Sequence, residues 1–204
     1  VLFLVNPNMP IEYEFNKKLK NEIYKICKKN NILLVYDEAY HHFGSISEAS
    51  TTKKNKNLIV MRTFSKAWGL SGIRLGYMVA DKKISEYISK CRTLVETNSL
   101  TYQTALWALK HKIYKDHVKF VKQGSKYIRD KFKFNGDIFH GGEKTNFILL
   151  KLSNQKLTKH LVKWLAKKKI YIRANFPKPL EDYVRISLGS SKKLSIFFTE
   201  YNKW

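Results

Sequence analysis

The clearest pattern in the first half of the chain is a series of short, uninterrupted apolar runs. They lie at positions 1–5, 32–36, 58–61 and 75–80. Runs of this length and continuity are typical of strands buried in a parallel sheet. Residues 15–30 carry apolar side chains at helical spacing, with lysines on the other face. The order strand, helix, strand predicts a βαβ unit and therefore a mostly parallel sheet.

Longer helical patterns occupy the middle of the chain, and strands return in its last third. Helices are predicted over 81–92, 100–134, 157–169 and 190–204, and strands over 145–152, 170–173 and 183–188. The pattern over 100–134 is expected to break near His111 or Asp116. Residues 93–99 are predicted to form a loop, and the lysine-rich segment 45–57 an exposed connection. Together these elements predict an α/β fold with a second, smaller α/β layer.

The chain is strongly basic, with 39 lysine and arginine residues against 16 acidic ones and a formal net charge of +23. A charge of this size favours contact with polyanions. However, only six of the basic residues are arginine, and the lysines are spread along helical surfaces instead of forming one arm. We therefore predict no specific nucleic-acid partner, and only non-specific adhesion to polyanions at low salt.

Other residue patterns argue against disulfide, metal and membrane classes. Cys27 and Cys91 form no C-x-x-C motif, which indicates reduced thiols in a cytoplasmic protein. His41 and His42 are adjacent, but no further histidine or cysteine lies at ligand spacing, so no metal site is predicted. No apolar run approaches the length of a membrane span and no signal peptide opens the chain, so no membrane partner is expected.

The residues best suited to chemistry lie between the apolar runs at 58–61 and 75–80. The chain there reads R-T-F-S-K-A-W-G-L-S-G-I-R-L-G-Y over 62–77. Lys66 falls just past the end of a strand, where α/β sheets place their ligands. Desolvation lowers the pKa of a lysine amine, and the free amine is the nucleophile that forms Schiff bases. Donors suited to a phosphate flank this lysine, namely Thr63, Ser65 and Arg74.

This stretch resembles the lysine segment of the fold type I pyridoxal-phosphate aminotransferases, most of all the histidinol-phosphate aminotransferase branch, whose pattern is S-K-x-x-G-L-x-G-x-R. Three other segments occur in the family's order, namely N-P-N-M-P at 6–10, D-E-A-Y at 37–40 and V-R-I-S-L-G at 184–189. The resemblance covers nearly the whole chain. It implies the PLP-transferase fold of type I, with part of a large domain over 1–110, followed by a bridging helix and a small domain over 111–204.

The resemblance also implies which residues hold the cofactor, pyridoxal 5′-phosphate. Lys66 would form the Schiff base and move the proton, and Asp37 would pair with the protonated pyridine nitrogen, which keeps the ring an electron sink. Tyr40 would bond the phenolic oxygen. The phosphate would be held by Thr63, Ser65 and Arg74.

The substrate side of the site is implied by the C-terminal match. Arg185, with Arg173 as a second anion contact, would grip a carboxylate or phosphate of the substrate. The implied reaction transfers an amino group between an amino acid or amino-phosphate compound and a 2-oxo acid. A homodimer is expected if the family's N-terminal portion is present.

The chain departs from the family pattern in its proline turn. Met9 stands where the family has the asparagine that bonds the phenolic oxygen, and a thioether is a weak acceptor and no donor. Ile11 and Glu12 replace the family's Thr-Gly, and either Asn6 or Asn8 would have to compensate. The family's N-terminal portion, which precedes this turn, is not identified in the chain.

Two alternatives to an aminotransferase therefore stay open, and a third is considered but not favoured. The first is a non-catalytic or truncated protein with the aminotransferase fold, which Met9 favours. The second is a PLP-dependent decarboxylase of an amino-acid phosphate, which the same residues would serve. The third, a basic nucleic-acid module, would need a clustered basic face with aromatic platforms. The tryptophans that could provide such platforms are better explained as core or interface residues.

Overall fold

The computed structural model describes residues 1–93 and 96–204, with the backbone alone at position 134. The chain divides into two compact units. The first comprises Val1–Met9 and Tyr13–His117, and the second comprises Pro10–Glu12 and Val118–Trp204. The assignment of a large-domain part to 1–110 and a small domain to 111–204 stays a prediction.

The first unit contains a four-stranded sheet in the order β1-β2-β3-β4. Its strands are β1 (Leu2–Val5), β2 (Leu34–Asp37), β3 (Leu58–Thr63) and β4 (Gly76–Ala80). The first three are parallel, and β4 runs antiparallel to β3. The mostly parallel α/β sheet predicted from the apolar runs is thus confirmed.

Three helices belong to the first unit, and asparagine or aspartate caps each of them. They are α1 (Lys17–Lys29), α2 (Lys82–Ser89) and α3 (Ser99–His111), with Asn16, Asp81 and Asn98 accepting hydrogen bonds from first-turn amides. Short 3₁₀ turns cover His41–Phe43, Ala49–Lys53 and Ser71–Ile73. The buried face of α1 presents Tyr24 and Cys27 to the core formed by β2 and β3.

The second unit is built on a three-stranded antiparallel sheet in the order β5-β6-β7. Its strands are β5 (Phe139–Gly141), β6 (Phe147–Lys151) and β7 (Tyr183–Ser187). The helices α5 (Gln155–Lys167) and α6 (Ser191–Lys203) complete it, and α4 (Tyr114–Asn135) starts in the first unit and continues in the second. None of the helices within residues 1–93 and 96–204 is long and apolar enough to cross a membrane.

Several sequence-based predictions need correction or completion. The long pattern over 100–134 breaks at Lys112, which has a left-handed backbone, as expected near His111. The strand predicted over 170–173 is wrong, because this segment forms only an isolated bridge between Arg173 and Arg185. The segment 45–57 is not simply exposed, since Glu48 and Thr52 are buried. The predicted loop over 93–99 includes residues 94 and 95, which lie outside the described residues.

Gly124 in α4 has a role that helical spacing does not reveal. A Cβ atom at this position would lie 1.9 Å from the carbonyl oxygen of Gly189. The residue is therefore required for the close approach of two backbone segments within the second unit, and it is more than a tolerated helix breaker.

Candidate active site

The candidate site lies at one edge of the sheet in the first unit. Because β1, β2 and β3 are parallel, their carboxyl ends meet at this edge. Asn6 follows β1, while Asp37 ends β2 and Thr63 ends β3. Lys66 comes three residues after β3. The parallel register therefore gathers the predicted lysine, acid and hydroxyl at one edge.

Asp37 is a half-buried carboxylate with no cationic partner among the described residues. Its Oδ1 accepts a hydrogen bond from the Ala39 amide at 2.8 Å. Within the described parts of the chain, no lysine, arginine or histidine nitrogen lies within 4.0 Å of the Asp37 carboxylate oxygens. Desolvating a carboxylate is unfavourable unless a cation compensates it. The side chain thus suits a cationic ligand group.

The Lys66 ammonium also lacks an acidic partner in the part of the chain that the structure describes. Its Nζ lies 5.2 Å from the centroid of the Tyr40 ring, a cation–π distance. Tyr40 itself is buried, whereas Lys66 is half-buried. No described carboxylate lies within 4.0 Å of this Nζ. The structure therefore brings Lys66 and Tyr40 together and leaves the amine available for a ligand.

Hydrogen bonds from Gly69 and His117 stabilise the turn that carries Lys66. The Gly69 amide donates to the Lys66 carbonyl at 3.0 Å, and Gly69 has φ +70°, a conformation that suits glycine. His117 Nδ1 lies 2.8 Å from the Ala67 carbonyl oxygen, so Nδ1 is the nitrogen that donates. His117 was not identified from the sequence, because 50 residues separate it from its partner.

The predicted phosphate ligands occupy the two sides of the same turn. The Thr63 hydroxyl accepts from the Ser65 amide at 3.0 Å, which fixes Ser65 relative to the end of β3. Arg74 precedes β4, has a left-handed backbone (φ +53°) and is exposed. Its Nη1 donates to the Ser71 carbonyl at 2.9 Å. The arginine is thus anchored by one N–H group beside the sheet edge.

The proline turn is ordered without the family's asparagine. Asn6 is buried, and its Oδ1 accepts from the Phe15 amide at 2.8 Å, while its Nδ2 has no partner in the described structure. Met9 is partly exposed. Glu12, where the family has glycine, accepts hydrogen bonds from the Gly142 and Glu143 amides at 2.8 and 2.9 Å within the second unit. The carboxylate of Glu12 therefore anchors the residues that follow Met9.

His41 and His42 are packed side chains rather than ordinary loop residues. Their ring centroids are 3.8 Å apart, and His42 contacts Trp68 and Tyr114 edge-on. Burial lowers the pKa of His41 to about 3, with help from the charges of His42 and Arg62, and it lowers the pKa of His42 to about 4. Both rings are therefore neutral near pH 7. Across residues 1–93 and 96–204, no cluster of three or more acidic, histidine or cysteine side chains could hold a metal ion.

In the second unit, Arg173 and Arg185 lie directly opposite each other. The Arg173 amide donates to the Arg185 carbonyl at 3.1 Å, and the reverse bond is 2.7 Å. Residues paired in this way place their side chains on the same face. The Arg185 guanidinium lies 5.2 Å from the centroid of the Phe147 ring, and neither arginine has a described carboxylate within 4.0 Å. Two adjacent cations without acids suit an anionic ligand.

Two buried ion pairs in the first unit were not predicted from the sequence. Glu38 pairs with Arg62 at 3.0 Å, and Lys20 pairs with Glu48 at 2.6 Å. Burial lowers the pKa of Arg62, but the Tyr77 hydroxyl and the charge of Glu38 raise it above its usual value. Lys20 could have been recognised as buried, because helical spacing places it on the face of α1 that carries Tyr24.

Comparison with known proteins shows the family of this chain. The family model described as aminotransferase class I and II matches residues 1–199. The chain is 31% identical to histidinol-phosphate aminotransferase of Ruminiclostridium cellulolyticum, with 100% of this chain and 57% of the relative covered. It is 34% identical to the enzyme of the same name from Thermoanaerobacter pseudethanolicus, with 93% and 53% covered.

Solved structures give the same fold. Histidinol-phosphate aminotransferase from Sinorhizobium meliloti, in complex with pyridoxal-5′-phosphate, matches with a TM-score of 0.84 at 22% identity, over 97% of this chain and 55% of that one. L-threonine-O-3-phosphate decarboxylase from Porphyromonas gingivalis matches with a TM-score of 0.78 at 25% identity, over 98% and 63%.

These matches define the family. The chain belongs to the class I and II aminotransferases, with the fold of the PLP-dependent type I enzymes. The relatives it resembles in sequence are histidinol-phosphate aminotransferases. Family membership supports pyridoxal 5′-phosphate as the cofactor. The chain spans slightly more than half the length of the curated relatives it matches.

Proposed function

We propose that this chain is a PLP-dependent aminotransferase that moves an amino group between an amino acid or amino-phosphate compound and a 2-oxo acid. The observation that carries the proposal is the state of Asp37. It is a half-buried carboxylate without a cationic partner among the described residues, at the same sheet edge as an equally unpaired lysine. A cofactor with a cationic ring nitrogen and an aldehyde satisfies both groups.

Each residue at this sheet edge would have a different role in binding such a cofactor. Asp37 would stabilise a proton on the ring nitrogen, because none of the described residues neutralises its carboxylate. Lys66 would supply the attaching amine and would serve as the base and acid that moves a proton. When bound, pyridoxal phosphate would supply an electron sink. The Tyr40 ring contacts the Lys66 ammonium, and its phenol would be a donor for the ring oxygen of the cofactor.

The remaining residues provide for anions. Ser65 and Thr63, joined by the Ser65 amide, present hydroxyl groups on the turn, and Arg74 adds a cation beside it. Together they suit the cofactor phosphate. In the second unit, Arg173 and Arg185 suit the carboxylate or phosphate of the substrate, since repulsion between two unneutralised arginines is relieved by a shared anion.

A non-catalytic role is the second candidate, because Met9 offers no donor where the family has an amide. A decarboxylase of an amino-acid phosphate would use the same lysine, acid and arginines. We also infer a cytoplasmic protein with small-molecule partners and no specific nucleic-acid partner, and a homodimer if the family's N-terminal portion is present. Sedimentation of the purified chain at physiological salt measures whether the chain alone already forms that dimer.

The test of the proposed function is selective attachment of pyridoxal phosphate to Lys66. The purified chain is incubated with the cofactor, its visible absorption is recorded, the imine is reduced with borohydride, and the labelled lysines are mapped by mass spectrometry. We expect Lys66 to dominate among the 33 lysines, and Lys66→Ala to lose the visible band. Identical spectra without a band for both proteins would exclude the proposed chemistry for this chain alone. Incubation of the loaded protein with candidate amino acids, followed by assay of released 2-oxo acid and CO₂, separates transamination from decarboxylation.

A further inference from the structure

The ends of β2 and β3 show different chemistry on their two faces. Asp37 is paired with Met61 in the parallel register, and the Glu38 amide continues the ladder to the Met61 carbonyl at 2.9 Å. Because side chains alternate along extended strands, Asp37 and Glu38 point to opposite faces. The same alternation separates Arg62 from Thr63 in β3. Asp37 and Thr63 thus share one face, while Glu38 and Arg62 meet on the other.

In the Glu38–Arg62 pair, two nitrogens donate to one carboxylate oxygen, and both side chains are largely buried. The Nε and Nη2 atoms of Arg62 donate to the Glu38 Oε2 at 3.1 and 3.0 Å, and the Ser47 hydroxyl donates to the same oxygen at 2.9 Å. The Glu38 side chain is 1% exposed. In β4, Tyr77 stands opposite Arg62 and its hydroxyl lies 3.4 Å from Nη1. The ion pair therefore joins the residue after β2 to β3, and the Tyr77 hydroxyl adds a contact from β4.

We propose that the Glu38–Arg62 pair is a positioning device that holds the strand end bearing Asp37 in place relative to the strand end leading to Lys66. This proposal rests on the proposed function only because that function assigns the roles of Asp37 and Lys66. Each member of the pair is the chain neighbour of a site residue, so sliding of β2 against β3 would move the acid relative to the lysine. Misplacement by 1 Å lowers the rate of an oriented reaction by up to about 10²-fold.

The Lys20–Glu48 pair provides a matched control. It is comparably buried, with side-chain exposures of 9% and 11% against 15% and 1% for Arg62 and Glu38. It joins α1 to the 3₁₀ turn at Ala49–Lys53 and includes no residue of β2 or β3. The backbone amide of Glu48 donates to Glu38, but Lys20→Met leaves this amide unchanged. Loss of either pair should weaken the fold, whereas only one pair should hold the two strand ends.

The experiment compares the wild-type chain with Arg62→Met, Glu38→Gln, their double variant and Lys20→Met. The first readout needs no cofactor, since it is hydrogen exchange at the amides of Ala39 and Ser65, which bond to Asp37 Oδ1 and Thr63 Oγ1. The second readout is the share of borohydride-trapped pyridoxal phosphate found on Lys66. Thermal unfolding reports the structural contribution of each pair.

We expect Tm to fall in all single variants. Exchange at Ala39 and Ser65 should accelerate by roughly tenfold in Arg62→Met and Glu38→Gln but not in Lys20→Met. The share of label on Lys66 should fall in the same two variants. Unchanged exchange in Arg62→Met, or equal acceleration in Lys20→Met, would overturn the positioning role. A wild-type chain without selective Lys66 labelling would overturn the proposed function, while the exchange data would still decide the positioning role.

Discussion

Two adjacent carboxylates at the end of one strand, Asp37 and Glu38, differ in whether a cation pairs with them. Glu38 is buried, pairs with Arg62 and accepts from Ser47. Asp37 is half-buried, and within residues 1–93 and 96–204 its carboxylate accepts only from the Ala39 amide. Both would be desolvated by the surrounding apolar strands, and a desolvated charge requires compensation. Among the described residues, Glu38 receives this compensation from Arg62, whereas Asp37 has no counter-charge.

The same distinction separates other charged residues of the chain. Lys20 is paired with Glu48 inside the first unit, whereas Lys66 faces the ring of Tyr40 without an acid. In the second unit, Arg173 and Arg185 stand side by side and neither has a described acidic partner. Internally paired charges thus contribute to the fold, whereas charges without a described partner remain available to a ligand.

The largest expected effect comes from neutralising the two carboxylates in turn. Glu38→Gln should lower the free energy of unfolding by about 3 kcal/mol, because it leaves the Arg62 guanidinium buried without a counter-charge. Asp37→Asn should change it by less than about 0.5 kcal/mol, because an amide oxygen can still accept from Ala39. Urea unfolding followed by circular dichroism measures both values. Equal losses in the two variants would remove the distinction between the paired and the unpaired acid.

The next effect concerns binding instead of stability. Asp37→Asn should weaken retention of pyridoxal phosphate by about tenfold or more, since a charge-assisted hydrogen bond to the ring nitrogen is lost. Titration of the visible absorption band against cofactor concentration gives the affinity. Asp81→Asn, which alters the exposed cap of α2, is the control for loss of one negative charge. An Asp37→Asn protein with wild-type affinity would show that this acid does not face the cofactor.

Sequence reasoning located the unpaired residues better than the paired ones, for a physical reason. Lys66 and Asp37 follow apolar strands directly, so local pattern and parallel pairing are enough to place them at one edge. Glu38 and Arg62 are 24 residues apart, and Lys20 and Glu48 are 28 apart, so their pairing depends on the tertiary fold. The apolar run at 170–172 suggested a strand, but it was too short to show that only Arg173 forms a bridge.

A moderate effect of pH on stability is expected from His41 and His42, because their burial in the fold keeps both rings neutral. Burial lowers their pKa values from 6.5 to about 3 and about 4. Between these values and 6.5 the unfolded chain binds protons that the folded chain does not, so stability falls as pH is lowered from 6.5. Thermal unfolding should therefore show a lower Tm at pH 5 than at pH 7.

The double variant His41→Gln/His42→Gln isolates the histidine contribution. Its Tm should vary less between pH 7 and pH 5 than that of the wild-type chain. The window avoids Glu48, whose pKa burial raises but the Lys20 and Thr51 hydrogen bonds bring below its usual 4.5. The stability it contributes is lost only as pH falls further. An unchanged pH dependence in the double variant would assign the acid sensitivity to other groups.

The smallest effect is expected for an ion pair that lies in solvent. Lys82 and Glu86 are four residues apart on α2, with nitrogen and oxygen 3.8 Å apart and side chains 90% and 61% exposed. Water already compensates both charges, so Glu86→Gln should change the free energy of unfolding by less than about 0.5 kcal/mol, and less again at high salt. Measured beside Glu38→Gln under identical conditions, this variant removes the same charge from the same type of side chain. A loss close to that of Glu38→Gln would mean that the free energy of unfolding depends on pairing itself and not on burial of the partner left behind. The interpretation of Asp37 as a carboxylate left for a ligand would then lose its physical basis.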